Sequence, residues 1–239
     1  MDATGYVIFW VLAFGCGSVP FAVILGRVKG VDIRKVGSGN PGATNLGREV
    51  GRKWGFLCFV LDLVKGLLPV LAFKGVGIAR AGTGWDWVEA VADGSWSGGV
   101  EHLSTTLAAQ WVGLGLAAVL GHMFSPWIGF KGGKGAATGL GAALGLFPFV
   151  TLPGLVCGAV WVVSSKLSGY IGVSSCLASS LLPILTLVNG NRLGLASGPL
   201  MVFVGLTALL AALVIVRHRG NLQRTFKGTE PKAAWTGRA

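Results

Sequence analysis

Three stretches of this chain gather side chains suited to handling a phosphate. In VGSGNPGATNLGREVG, residues 36–51, Ser38, Asn40, Thr44, Asn45 and Arg48 are interleaved with Gly37, Gly39, Gly42 and Gly47. Glycine lets a backbone come close to a ligand at positive φ, and successive N–H groups in such turns form an anion-binding nest. Arg48 adds a planar fork that grips a phosphate through two hydrogen bonds. In GHMFSPWIGFKGGKGAATG, residues 121–139, Lys131 and Lys134 flank Gly132 and Gly133 on a turn that leads into a helix, whose positive N-terminal end favours anions. The third group combines SKLSGYIGVSS, residues 165–175, which carries Ser174 and Ser175, with RHRGNLQRTFKGTEPK, residues 217–232, which carries His218 and Asn221. Each has a plainer reading: a polar connection for the first, topology anchors for Lys131 and Lys134, and the neighbour of an anchor for His218.

The known phosphate loop G-x-x-x-x-G-K-[ST] does not account for FKGGKGAAT. Ile128 stands where its first glycine belongs and Gly135 where its Ser/Thr belongs. His102, His122 and His218 form no metal spacing with another His, Cys, Asp or Glu, so no metal and no cofactor is expected. Cys16, Cys58, Cys157 and Cys176 lie in or beside apolar runs and read as buried thiols. Asp62 and Lys65 are three apart on one helical face inside an apolar run, which predicts a structural ion pair, with a functional role as the alternative.

The elements that must position these groups are membrane helices. With 52% hydrophobic residues, 12% charged residues and a mean hydropathy of +0.69, the chain is too apolar for a soluble domain. Apolar runs at 5–25, 54–73, 103–123, 135–149, 152–165, 170–188 and 198–216 predict an all-α integral membrane protein of about seven transmembrane helices, with short re-entrant or juxtamembrane Gly-rich loops. The fourth and fifth runs are short and predict a hairpin of two brief helices across FPFVTLP; the alternative, one kinked span and six in total, would put the last two basic segments on the wrong face. The first run lacks a basic leader and is too long for a signal-peptide core, so it is read as a span.

Charge sets the orientation. An N-terminus outside and a C-terminus in the cytoplasm put every Lys and Arg on the cytoplasmic side except Lys65, Lys74, Arg80 and Arg192. All three phosphate-suited segments then share that face. The net charge of +11 is explained by topology, and no nucleic-acid motif accompanies it. The whole of 1–239 reads as one transmembrane domain, with 220–239 as a cytoplasmic tail.

GSGNPGATNLGR, GHMFSPWIGFKGGKGAAT and RHRGNLQRTFKGTEPK, in this order, closely resemble the PlsY-type acyl-phosphate:glycerol-3-phosphate acyltransferases of bacterial membranes. SVPFAVILGR and DLVKG are also similar. The resemblance implies a multi-pass enzyme of the bacterial inner membrane, acting at its cytoplasmic face. It would transfer a fatty acyl group from acyl phosphate to the 1-hydroxyl of glycerol 3-phosphate, the first acylation of phospholipid synthesis. Ser38, Arg48, Lys134, His218 and Asn221 are then the expected catalytic residues. Gly37, Gly39, Asn40, Thr44, Asn45, Lys131, Gly132, Gly133 and Ser174 are the expected phosphate-binding residues. The expected partners are the two substrates, membrane lipid and an upstream acyl-phosphate-forming enzyme, with no nucleic acid. The chain departs from the family at YIGVSS, where Gly172 replaces a serine, and in a long outer segment at 74–101.

Acyl phosphate is already activated, so such a site needs two anion pockets and an oriented hydroxyl rather than a covalent nucleophile. Either His218 or a substrate phosphate oxygen serves as base. The alternative from another class is a transporter of phosphate or phospholipid. Against it, the chain shows no internal repeat and its polar motifs are juxtamembrane.

Overall fold

The structure is a computed structural model and describes residues 3–73 and 103–233; the outer segment 74–101 lies outside the described residues. Every regular element among the described residues is helical. The first apolar run forms α1 (Ala3–Ser18) and α2 (Phe21–Val28), interrupted at Val19–Pro20, where proline has no N–H to continue a helical ladder. At this break the Val19 carbonyl accepts a hydrogen bond from Lys65 Nζ at 2.8 Å. The glycine-rich segment leads into a short α3 (Ala43–Glu49), followed by α4 (Arg52–Phe73). Ser104 starts α5 (Thr105–Met123), its hydroxyl accepting the Leu107 N–H at 3.1 Å. The remaining helices are α6 (Ala136–Gly145), α7 (Thr151–Ser168), α8 (Ile171–Arg192) and α9 (Ser197–Phe226).

Among the described residues, six segments are long and apolar enough to cross a membrane: Gly5–Val28, Arg52–Phe73, Thr105–Ile128, Thr151–Ser168, Ile171–Arg192 and Ser197–Phe226. The run at 135–149 yields only the ten-residue α6, about 15 Å long against a hydrocarbon core of about 30 Å. Its composition explains its shortness, since Gly139, Gly141 and Gly145 are weak helix formers and Pro148 follows. Tight packing on α4 holds it in place. A Cβ on Gly66 would collide with the Thr138 carbonyl, and one on Gly141 with the Leu63 carbonyl. Small residues that let backbones touch are how helices associate where lipid gives no hydrophobic drive.

Side chains sort accordingly. Val7, Ile8, Val11 and Leu12 on α1 and Met201, Leu209 and Val216 on α9 face outward. The larger buried hydrophobic cluster joins Phe73, Trp111, Phe149 and Phe203, with the Trp111 indole N–H donating to the Val70 carbonyl at 3.3 Å. At the opposite end, the starts of α6 and α8 meet the ends of α5, α7 and α9. Lys134, just before α6, bonds Asn221 on α9; Arg217 on α9 bonds the Met123 carbonyl at the end of α5; and Ala233 N–H donates to Gly169 between α7 and α8. Helix α9 runs through Phe226, and residues 227–233 fold back over this end, so the expected tail begins as helix.

Candidate functional site

A cavity of about 1250 Å³ lies between α3, α4, α6, α7, α8 and α9. Ser38, Asn40, Thr44, Arg48, Lys134, His218, Asn221 and Glu230 line its polar end. Phe59, Leu140, Ala143, Leu182, Leu210 and Val214 line the remainder, which is apolar.

The first glycine-rich segment is a built turn. Asn45 is buried, and its amide oxygen accepts the Ser38 N–H at 3.0 Å while its Nδ2 donates to the carbonyls of Ile33 and Val36. Asn45 therefore shapes the loop from behind. Gly37 and Gly39 have φ values of 56° and 67°, the left-handed region that glycine occupies without strain. Neither lines the cavity, and the Gly39 N–H is bonded to the Val36 carbonyl. What this turn presents inward is Ser38, Asn40 and, from α3, Thr44 and Arg48. Arg48 Nη2 donates to the Pro231 carbonyl at 2.6 Å, whereas its Nε is buried without a hydrogen-bond partner.

Gly132 and Gly133 do not offer their N–H groups to a ligand: these donate to the carbonyls of Met123 and His122, both at 3.1 Å. Arg217 holds the other side of the loop, donating to the carbonyls of Met123, Gly132 and Gly133 at 2.8 to 3.2 Å. A Cβ on Gly133 would strike His122 Nε2. This clamp fixes the direction in which the next residue, Lys134, projects. Burial lowers the Lys134 ammonium to about 8, against the pull of Glu230 and with Arg224 and Arg48 adding to the lowering. Lys131 is exposed and lies outside the cavity wall.

Lys134 Nζ donates to Asn221 Oδ1. Asn221 Nδ2 in turn donates to Glu230 Oε1 at 2.6 Å, and Glu230 Oε2 accepts from Arg224 Nε at 2.7 Å. Because the carboxylate accepts only from the amide NH₂, this chain of contacts fixes which way Asn221 points. One turn earlier on α9, His218 Nδ1 lies 2.8 Å from the Val214 carbonyl. A carbonyl only accepts, so Nδ1 carries the proton and Nε2 of the neutral ring keeps its lone pair.

On α8, Ser174 is fully buried and donates to the Tyr170 carbonyl at 3.1 Å, away from the cavity. Ser175, one position on, lines the cavity and accepts the Trp161 indole N–H at 3.1 Å. Glu230 and Arg217 were missed as site residues from sequence, and of the two serines singled out there, Ser174 was assigned to the phosphate pocket whereas Ser175 lines the cavity. Glu230 had a signal: no other acidic residue follows Glu101.

The predicted Asp62–Lys65 pair forms at 2.7 Å with both side chains buried. His122 Nδ1 joins it 3.7 Å from the same carboxylate oxygen. Asp62 and His122 reach the cavity wall behind the Lys134 loop.

Residues 7–228 match the family described as glycerol-3-phosphate acyltransferase. The chain is 37% identical over 224 residues to a glycerol-3-phosphate acyltransferase of Geobacter sulfurreducens, covering 94% of this chain and 95% of the relative. It is 35% identical over 229 residues to one of Synechococcus sp., covering 95% of each. Among solved structures it is similar to the glycerol 3-phosphate form of PlsY, an integral membrane glycerol 3-phosphate acyltransferase, with TM-score 0.71, 31% identity and 95% of each chain covered. The lysophosphatidic acid form of PlsY gives TM-score 0.69 and 30% identity over 95% of each chain. By sequence along nearly its whole length and by the helical arrangement around this cavity, the chain belongs to the glycerol-3-phosphate acyltransferase family.

Proposed function

We propose that this chain, as a single transmembrane domain, transfers an acyl group from acyl phosphate to the 1-hydroxyl of glycerol 3-phosphate, releasing inorganic phosphate and lysophosphatidic acid. The observation that carries this reading is one cavity with a cationic end and apolar walls. Two phosphorylated substrates, one with a lipid tail, need that division. A permeation path would carry polar ligands through the membrane interior, whereas these walls turn apolar below His218, with Val214, Ala211 and Leu210 on α9 and Ala178 and Leu182 on α8.

Arg48, with its unpartnered Nε, and Lys134 bind the phosphates and the charge that develops at the carbonyl oxygen. Ser38, Asn40 and Thr44 complete the anion pocket, and Asn45, Gly37 and Gly39 hold its shape. The hydroxyl oxygen attacks the carbonyl carbon, the bond from that carbon to the phosphate oxygen breaks, and phosphate leaves with the electron pair. His218 Nε2 accepts the hydroxyl's hydrogen bond and aims it, and the proton finishes on the departing phosphate.

The bias of Lys and Arg supports a basic end at the cytoplasmic face of the bacterial inner membrane, with the N-terminus outside and the run at 135–149 as the seventh crossing, its ten-residue α6 extended by the turn that carries Phe149 to the Phe73 and Phe203 end. Competition between donors tests the reading. Acyl phosphate is expected to support rapid turnover, and acyl-CoA or acyl carrier protein little or none, since no residue group here suits a nucleotide. Equal rates with a thioester would overturn the donor assignment.

A further inference from the structure

The apolar part of the cavity is open along one side. Helices α4 and α7 are not packed against one another along their length, and each is tied instead to α6 or α8. Cavity-lining residues on both sides of the gap are solvent-accessible: Phe56 is 69% exposed, Leu155 56% and Val162 41%. In a bilayer these faces meet lipid.

A ring contact spans the gap. The rings of Phe59 on α4 and Trp161 on α7 stack with centroids 5.9 Å apart and planes inclined by 10°. Trp161 is held in that orientation by its indole hydrogen bond to Ser175, whose hydroxyl is itself bonded to the Ile171 carbonyl.

The depth of this pair follows from the helices behind it. A Cβ on Gly172 of α8 would lie 2.6 Å from the Asn221 Cβ of α9, so those two positions are level. The helices run in opposite directions, so Ser175 and His218, each three residues further in, are level too, about 4.5 Å below. The ring pair therefore lies at the depth of His218 in the same cavity, the level at which the carbonyl and the first carbons of an acyl group would sit. Beyond it the wall opens outward.

We infer that the Phe59–Trp161 stack is the specificity-determining element for the acyl group, reading bulk near the carbonyl and leaving the rest of the chain unread. This rests on the acyl-transfer function proposed above. The rings narrow the passage at the reacting end and reject a branch there. The distal chain lies along an open groove shared with lipid, so no wall measures its length.

The test uses purified full-length protein and two series of acyl phosphates with glycerol 3-phosphate: linear saturated chains from short to long, and counterparts methylated on the carbon next to the carbonyl. Wild-type protein is expected to discriminate against the branched donors by about 10-fold or more in kcat/KM, the range that one misplaced methyl group in a fitted pocket produces. Its kcat/KM is expected to level off as linear chains extend past the ring pair. Phe59→Leu and, independently, Trp161→Phe are expected to shrink the branched-to-linear discrimination at least severalfold. Thermal unfolding in detergent reports whether each variant is folded, and the wild-type series stands without them. A sharp chain-length optimum, acceptance of branched and linear donors alike, or unchanged discrimination in both folded variants would overturn the inference while leaving acyl transfer intact. Failure of the wild-type protein to use any linear acyl phosphate would remove the function and the inference together.

Discussion

Lys134 and Asn221, 87 positions apart in the chain, are joined by a hydrogen bond from the lysine ammonium to the asparagine amide oxygen. This contact ties the glycine-rich loop before α6 to the end of α9, and Glu230 and Arg224 orient the amide that makes it. Lys134 projects from a loop clamped on both sides, by His122 and by Arg217. The position of its charge is set by the fold before any substrate arrives.

That charge has a pH limit. Lys134 loses its proton near pH 8, because burial lowers it from 10.5. Below that value the ammonium is present, and above it phosphate affinity falls. The kcat/KM profile for glycerol 3-phosphate should therefore decline on the alkaline side near pH 8 in the wild-type protein. Lys134→Arg, whose guanidinium stays charged, should lower the rate yet move that decline to higher pH. An identical alkaline limb in both proteins would rule out Lys134 as its source.

Arg48 anchors one nitrogen on the Pro231 carbonyl and leaves Nε buried and unbonded. Arg48→Lys keeps a positive charge and loses the fork. The loss of one charge-assisted hydrogen bond costs about 1.5 to 3 kcal/mol, roughly 10- to 100-fold in kcat/KM. Ser38→Ala should cost less. Wild-type kinetics in both folded variants would show that the segment is only a connection.

Gly133 has no room for a side chain against His122. Gly133→Ala should push the loop outward and misplace Lys134, with a fall in kcat of up to about 100-fold. Gly15 has nothing within 4 Å of its would-be Cβ, so Gly15→Ala should match the wild type. Equal activity of the two variants would show that the clamp does not set the Lys134 position.

How much of this was readable in the sequence depended on what each residue must satisfy. Lipid demands long apolar helices, so seven apolar runs stand out by hydropathy, but the run at 135–149 forms only the short α6, held by close contact of its Gly141 with Leu63 and of its Thr138 with Gly66 on α4, which no local pattern reveals. The glycine-rich loops were visible by composition, but not which N–H groups were free; those of Gly132, Gly133 and Gly39 are bonded to carbonyls. Ser174 and Ser175 are adjacent and chemically alike, and only the rotation of α8, which is apolar on most sides, decides that Ser175 faces the cavity. The Asp62–Lys65 pair followed from its spacing, and the third member, His122, comes from another helix.

That pair makes a separate stability prediction. Asp62→Asn leaves Lys65 as a buried cation whose 2.7 Å counter-charge is gone. Removing one partner of a buried pair costs about 3 to 5 kcal/mol, while replacing both with apolar residues is often neutral. Thermal unfolding in detergent should show a large loss for Asp62→Asn and substantial recovery on adding Lys65→Met. A single variant as stable as wild type would mean the pair carries little of the fold.

The most direct measurement incubates purified protein with a linear acyl phosphate and glycerol 3-phosphate, following inorganic phosphate and lysophosphatidic acid together. Equal amounts of both products are expected, formed at a rate that depends on glycerol 3-phosphate and is lost when glycerol replaces it. Phosphate released without lysophosphatidic acid, or acyl phosphate left unconsumed by folded protein, would contradict the proposed acyl transfer.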